Sequence, residues 1–279
     1  MKKFIGRLLC FLTLFGLVYF LTAEYIYISY NYLSKQFSFS HVLDRIGRSE
    51  QIIHSDTLYI GDSVAEQLFS FYQNKNSLTI NGSVLMSGQY ILLKNVLKHN
   101  KIKHIYLIIS PTSLGQDFSD PRVFNNFVKP FYTIKYQSNI SPLVYNALNT
   151  QPLSHLFILS GFKFLPISDL KFFEGKHLPK KLLSEINEEY LNKIIALAKK
   201  ENISLHLVAT PAPDIYQNLY DTLELAINPN HVLLKESMIE YKKSIRYLPI
   251  AAFRDSLHLS KESLSTNIEE YKKWIITQH

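Results

Sequence analysis

The chain has 279 residues, enough for one sizeable α/β domain and too few to demand two. Its formal charge is +7, but Lys2, Lys3 and Arg7 precede an apolar run, and without them 27 basic residues face 23 acidic ones. That mild excess suits an anionic surface such as an acidic glycan or phospholipid headgroups, and with no Arg/Lys cluster or basic-aromatic ladder in the sequence it argues against nucleic acid as a partner.

The chain opens "MKKFIGRLLCFLTLFGLVYFLTAEYIYISY", in which Leu8 to Ala23 are sixteen uncharged, mostly apolar residues followed by Glu24. Counting on to Ile28 makes 21 residues. That is about 31 Å of helix at ~1.5 Å per residue, matched to a hydrocarbon core ~30 Å thick. A cleaved signal peptide needs small residues at two alternating positions. Here Ala23 is preceded two residues earlier by bulky Leu21, so an uncleaved transmembrane anchor is the expectation for 1–28. The basic head stays cytoplasmic, which places the rest outside the cytoplasmic membrane, on the periplasmic or cell-surface side. The only cysteine, Cys10, falls in this anchor. The outer part therefore has no disulfide, no cysteine metal site and no thiol nucleophile. Residues 29–55 are polar-aromatic without clear periodicity and read as a stalk or short leading helix.

From Asp56 onward apolar runs alternate with helical patterns. "TLYI" at 57, "SLTI" at 77, "HIYLII" at 104, "ISLHLVAT" at 203 and "YLPIAAF" at 247 read as five strands. Helical spacing covers 64–73, 88–99, 184–201, 231–244 and 261–277, the rhythm of a parallel sheet covered on both faces. Residues 119–183 interrupt it with many aromatics and Pro121, Pro130, Pro142, Pro152, Pro166 and Pro179. They read as an insertion, either over the carboxyl ends of the strands or as a structural elaboration that never meets substrate.

In an open parallel sheet the ligand crevice lies beyond those carboxyl ends. The first loop there, "GDS" at 61, puts Ser63 where a helix begins. Ser63 is then either a nucleophile, with free helix amides to hold an anion, or the N-cap that serine commonly is. A serine nucleophile needs a neutral imidazole to take its proton and a carboxylate to orient that imidazole. "FRDSLHLS" supplies both in Asp255 and His258, just after the last strand. Beside the crevice, "VATPAPDIY" offers a wall stiffened by Pro211 and Pro213, with Thr210 there and Tyr216 in reach of a substrate. The remaining histidines show no metal spacing, and no cofactor or metal is expected.

These motifs resemble those of the SGNH (GDSL-like) hydrolase superfamily, over roughly 56–278 apart from the insertion. The resemblance implies a three-layer, flavodoxin-like α/β fold with a five-stranded parallel sheet. "GDS" resembles the first block, which makes Ser63 the nucleophile and its amide part of the oxyanion hole. "LMSGQY" resembles the second, with Gly88 as backbone donor to the oxyanion, and "DSLHLS" the last, with Asp255 and His258 as acid and base. The third block carries an asparagine donor in the family. Here "SPTSLGQDF" has none, and Thr112, Ser113 or Gln116 stands in its place. Membrane-anchored relatives in alginate O-acetylation and teichoic acid D-alanyl transfer have a similar architecture. The resemblance thus implies an anchored esterase or O-acyltransferase acting on acyl, most simply acetyl, esters of an envelope polysaccharide, with a membrane acyl-transfer protein as partner. The rival from another class is a catalytically silent SGNH-like subunit that binds or assembles such a complex.

Overall fold

The computed structural model describes residues 2–34, 40–70, 72–120, 123, 126–127, 130–149 and 181–277, of which 19–34, 40, 134 and 149 are described as backbone only. Four strands form the main sheet: β1 (Thr57–Gly61), β2 (Ser77–Thr79), β3 (His104–Ile109) and β4 (Ser204–Ala209). All pair in parallel, in the order β2-β1-β3-β4. Alternation along β1 sends Leu58 and Ile60 into one fully buried layer and Tyr59 to the other face. There the register aligns Tyr59 with Tyr106 and Tyr106 with His206, and their rings stack at 5.4 and 4.7 Å.

Helices cover both faces. On the Leu58 face lie α4 (Leu85–His99), α7 (Glu185–Lys200) and α9 (Val232–Lys243), burying residues such as Leu92, Ile194 and Met238. The Tyr59 face takes α3 (Ser63–Leu68) and α10 (Lys261–Thr277), through Leu68, Tyr271 and Ile275. Between them in the chain fall α5 (Pro111–Gly115), α6 (Pro142–Asn149) and α8 (Gln217–Thr222). The strand order reverses direction at β1, so the crevice between the ends of β1 and β3 is the topological switch point.

The expected fifth strand does not join this sheet. Tyr247–Leu248 (β6) pairs with Ala212–Pro213 (β5) in a separate two-residue parallel ladder. Two features prevent more. Pro213 and Pro249 have no N–H to extend a ladder, and Ser244 Oγ already accepts from Ala209 N, on β4.

The N-terminal segment forms one helix, α1 (Lys2–Ser34), and in its described part apolar side chains such as Phe4, Phe11 and Phe15 are at least 60% exposed. Among the described residues no helix is long and apolar enough to cross a membrane. Part of the expected stalk is packed into the domain instead. In α2 (Ser40–Ser49), Val42 and Arg45 are fully buried. Burial lowers the Arg45 pKa, a cost opposed by Glu66 at 3.0 Å, while Arg45 Nε donates to Thr79 O at 2.7 Å. The described part of the 119–183 insertion likewise enters the core: Phe127 and Phe131 are fully buried and 5.5 Å apart. Residues 150–180 of that insertion lie outside the described residues.

Candidate active site

The turn after β1 has little room. A Cβ on Gly61 would lie 2.2 Å from Ile108 O and 2.4 Å from Ala65 Cβ, so only glycine lets β1, β3 and α3 meet this closely. The N-cap that follows is Asp62, and Ser63 is the first helical residue. Asp62 Oδ1 accepts from Val64 N at 3.0 Å and Ala65 N at 3.3 Å; Oδ2 accepts from Ser110 N at 2.8 Å. One buried carboxylate thus caps α3 and ties the end of β1 to the loop leaving β3. The capping role that competed for Ser63 belongs to its neighbour, and the Ser63 hydroxyl is left for another partner.

That partner is His258. Its Nε2 lies 2.8 Å from Ser63 Oγ, while Nδ1 is 3.0 and 3.1 Å from the two oxygens of Asp255. A carboxylate only accepts, so Nδ1 carries the proton and Nε2 is the acceptor facing the serine hydroxyl. Asp255 also accepts from Leu257 N at 2.9 Å and His258 N at 2.8 Å. Asp255 thus both closes the turn that carries His258 and faces the imidazole Nδ1. Burial on its own would push the Asp255 pKa up, but donation from the His258 and Leu257 amides and the nearby imidazole together hold it below the usual carboxylate range. The three side chains come from β1–α3 and from the α10 approach, nearly two hundred residues apart, and meet at the sheet edge.

The oxyanion side is less complete. Gly88 lies inside α4, where its N–H donates to Val84 O at 3.1 Å, so it offers no donor to a substrate. It is glycine for packing: a Cβ there would stand 2.8 Å from Val84 Cβ and 3.1 Å from Phe131 Cε2. Of the α3 amides, Val64 and Ala65 are taken by Asp62 Oδ1, and Glu66 N by Asp62 O. The amide of Ser63 has no such acceptor among the described residues, as the first helical position predicts.

Among the three stand-ins for the missing asparagine, Thr112 Oγ1 is bonded to Tyr220 OH at 2.8 Å and Ser113 Oγ to Ser110 Oγ at 2.9 Å. The Gln116 carboxamide has no partner among the described residues, and its Oε1 is buried without one. Tyr216, expected within reach of a substrate, is buried against Tyr220, with ring centroids 6.2 Å apart. Thr210 is fully buried as well.

Two supporting residues escaped sequence reasoning. Asn187 of α7 is fully buried: its Oδ1 accepts from Met86 N at 2.8 Å and its Nδ2 donates to Leu114 O at 2.8 Å, joining the second and third loops. Next to Met86, Leu85 holds a φ of +54°, a left-handed conformation costly for leucine that such bracing sustains. Gln89 Nε2 donates to Gly61 O at 3.1 Å and braces the turn that carries Ser63 from α4. No motif marks Asn187, and Gln89 stands inside "LMSGQY" with no role read for it, because their partners are backbone atoms far away in sequence. Among the described residues no group of three or more His, Cys, Asp and Glu side chains is placed to hold a metal ion.

No family model and no curated protein matches the chain. Among solved structures it is similar to a Streptococcus pneumonia chain provisionally described as a platelet activating factor, at 13% identity and a TM-score of 0.32, over 94% of this chain and 98% of that one. A likeness of that size carries no argument about activity, which rests on the geometry of Ser63, His258 and Asp255.

Proposed function

We propose that the chain is an SGNH-type serine esterase or O-acyltransferase acting on acyl, most simply acetyl, esters of a cell-envelope polysaccharide. The observation that carries this reading is the 2.8 Å contact from Ser63 Oγ to His258 Nε2, with Asp255 on the far side of the ring. In the reaction Ser63 Oγ bonds to the acyl carbonyl carbon, and the carbonyl electron pair moves onto its oxygen. His258 Nε2 takes the serine proton and passes it to the departing alcohol oxygen as the ester C–O bond breaks. An incoming sugar hydroxyl or water then gives its proton to Nε2 and bonds to the acyl carbon; the acyl–Oγ bond breaks and Nε2 returns the proton to Ser63 Oγ. The Ser63 amide and the Gln116 carboxamide are the donors we assign to the oxyanion.

An oxyanion donor is typically worth ~10²–10³ in rate, and with the Gly88 amide spent inside α4 the site has one donor fewer than the motif implies, so it hydrolyses slowly even with Gln116 in the asparagine's place. Slow hydrolysis suits a transferase, whose acyl-enzyme must survive until an acceptor arrives. We assign the N-terminal helix to a cytoplasmic-membrane anchor, with the domain outside and a membrane acyl-transfer protein as its donor. The described side chains of α1 end at Val18, and the anchor reading counts on to Ile28; its support is the basic head followed by exposed apolar residues. Retention in the membrane after carbonate washing tests the anchor, and a soluble chain beginning near Glu24 would refute it.

Labelling of the full chain with a fluorophosphonate tests the nucleophile: Ser63 should be modified in the wild type, and in S63A nothing should be. Partitioning of an acetyl ester with and without candidate oligosaccharides then tests transfer. Rapid hydrolysis indifferent to every acceptor would leave an esterase. One observation favours the silent-subunit reading: the Gly88 donor is spent inside α4 and the asparagine is absent. Failure to acylate Ser63 under any condition would establish it.

A further inference from the structure

Gln67 follows Ser63 by one helical turn, and the i, i+4 spacing puts both on the same face of α3. Its carboxamide engages both backbone groups of a single residue. Nε2 donates to Leu259 O at 3.1 Å, and Oε1 accepts from Leu259 N at 3.0 Å. Leu259 is the residue after His258.

The loop carrying His258 is internally closed, by an antiparallel bridge between Phe253 and Leu259 and by bonds from Arg254 N to His258 O and from Ser260 N to Ala252 O, both 2.9 Å. Apart from the His258–Ser63 contact itself, its attachment to α3 is of two kinds. Leu259 is fully buried in the apolar cluster with Ala65 and Leu68, and Gln67 grips the Leu259 peptide. Apolar contact fixes distance loosely and rotation hardly at all, because it has no direction. A paired donor and acceptor on one residue fixes both, as a strand partner would.

We propose that Gln67 is a positioning residue, which holds the backbone beside His258 so that Nε2 stays within proton-transfer reach of Ser63 Oγ. This rests on the reading of Ser63 as nucleophile. Gln67 touches no reacting atom and acts through His258. A displacement of about 1 Å at such a contact costs on the order of 10²-fold in rate.

The experiment compares the full chain with Q67L and Q67E, in detergent, by fluorophosphonate acylation rate and by the ¹⁵N resonance of His258 Nε2. Q67L should acylate about 10²-fold more slowly. Q67E keeps an acceptor for Leu259 N but loses the donor to Leu259 O, and should fall between Q67L and wild type; it also serves if Q67L does not fold. The double variant Q67L/H258A should be no slower than H258A. The Nε2 resonance in Q67L should move to its position in S63A, where the serine partner is gone. Wild-type acylation in Q67L, losses additive with H258A, or an unmoved Nε2 resonance would each overturn the proposal. If the wild-type chain itself is never acylated, the nucleophile reading fails separately, and the resonance comparison still decides the role of Gln67.

Discussion

The division of labour between Asp62 and Ser63 gives the sharpest test of the site, because two adjacent residues with similar helix-start chemistry should respond in opposite ways. Asp62→Ala removes a helix cap, worth about 0.5–2 kcal/mol. It also leaves the Ser110 amide, now satisfied at 2.8 Å, without an acceptor in a buried place, at about 1–3 kcal/mol. Together that is roughly 1.5–5 kcal/mol, or on the order of 3–20 °C in Tm for a domain of this size. Asp62→Asn should recover only part of the loss, since its single oxygen can serve α3 or Ser110 and its NH₂ would oppose the other donor. Ser63→Ala removes one half-exposed hydrogen bond, and its Tm should stay within about 2 °C of wild type. Thermal unfolding followed by circular dichroism in one mild detergent measures all three. A Ser63→Ala loss as large as that of Asp62→Ala would mean that Ser63 supports the fold after all, and the assignment of its hydroxyl to catalysis would fall.

The remaining expectations concern the chemistry. His258→Ala should lower Ser63 acylation by about 10²–10⁴-fold, and in ester turnover S63A/H258A should lose no more than S63A alone, because the members act as a unit; additive small losses in turnover would indicate packing roles. Asp255 is held more acidic in the fold than the ordinary 3.8, so its ionised form favours the native state above that value and this contribution disappears as pH falls below it. The Tm advantage of wild type over D255N should therefore be constant near neutrality and shrink below about pH 3.8, and an advantage that instead grows on acidification would contradict the cited balance. Gln116→Ala should slow acylation by ~10²–10³ if its carboxamide donates to the oxyanion, while T112A and S113A, whose hydroxyls are already bonded, should leave the rate much closer to wild type.

Local features are legible in the sequence. Strand periodicity located β1 to β4, and the proton logic of serine chemistry paired Ser63 with His258 and Asp255 across nearly two hundred residues. Such features are encoded in neighbouring side chains, or in residue types that one reaction requires together. Errors came where a residue's role depends on where a helix begins or on distant backbone. Gly88 stands in a plausible motif, but its amide is consumed one turn back by Val84 O, and helix register is not visible in a six-residue pattern. The fifth strand has the right apolar run, yet Pro213, Pro249 and the Ser244 cap on Ala209 divert it. Asp62 as cap, Asn187 as a bridge between loops and Gln67 as the grip on Leu259 all rely on polar side chains reaching main-chain atoms elsewhere. A backbone amide is the same at every position, so the sequence carries no mark of which one a buried carboxamide or carboxylate will meet. Residue type and spacing were sufficient to group Ser63 with His258 and Asp255, whereas the polar contacts that brace them and the loss of the Gly88 amide to α4 were decided only when the chain closed on itself.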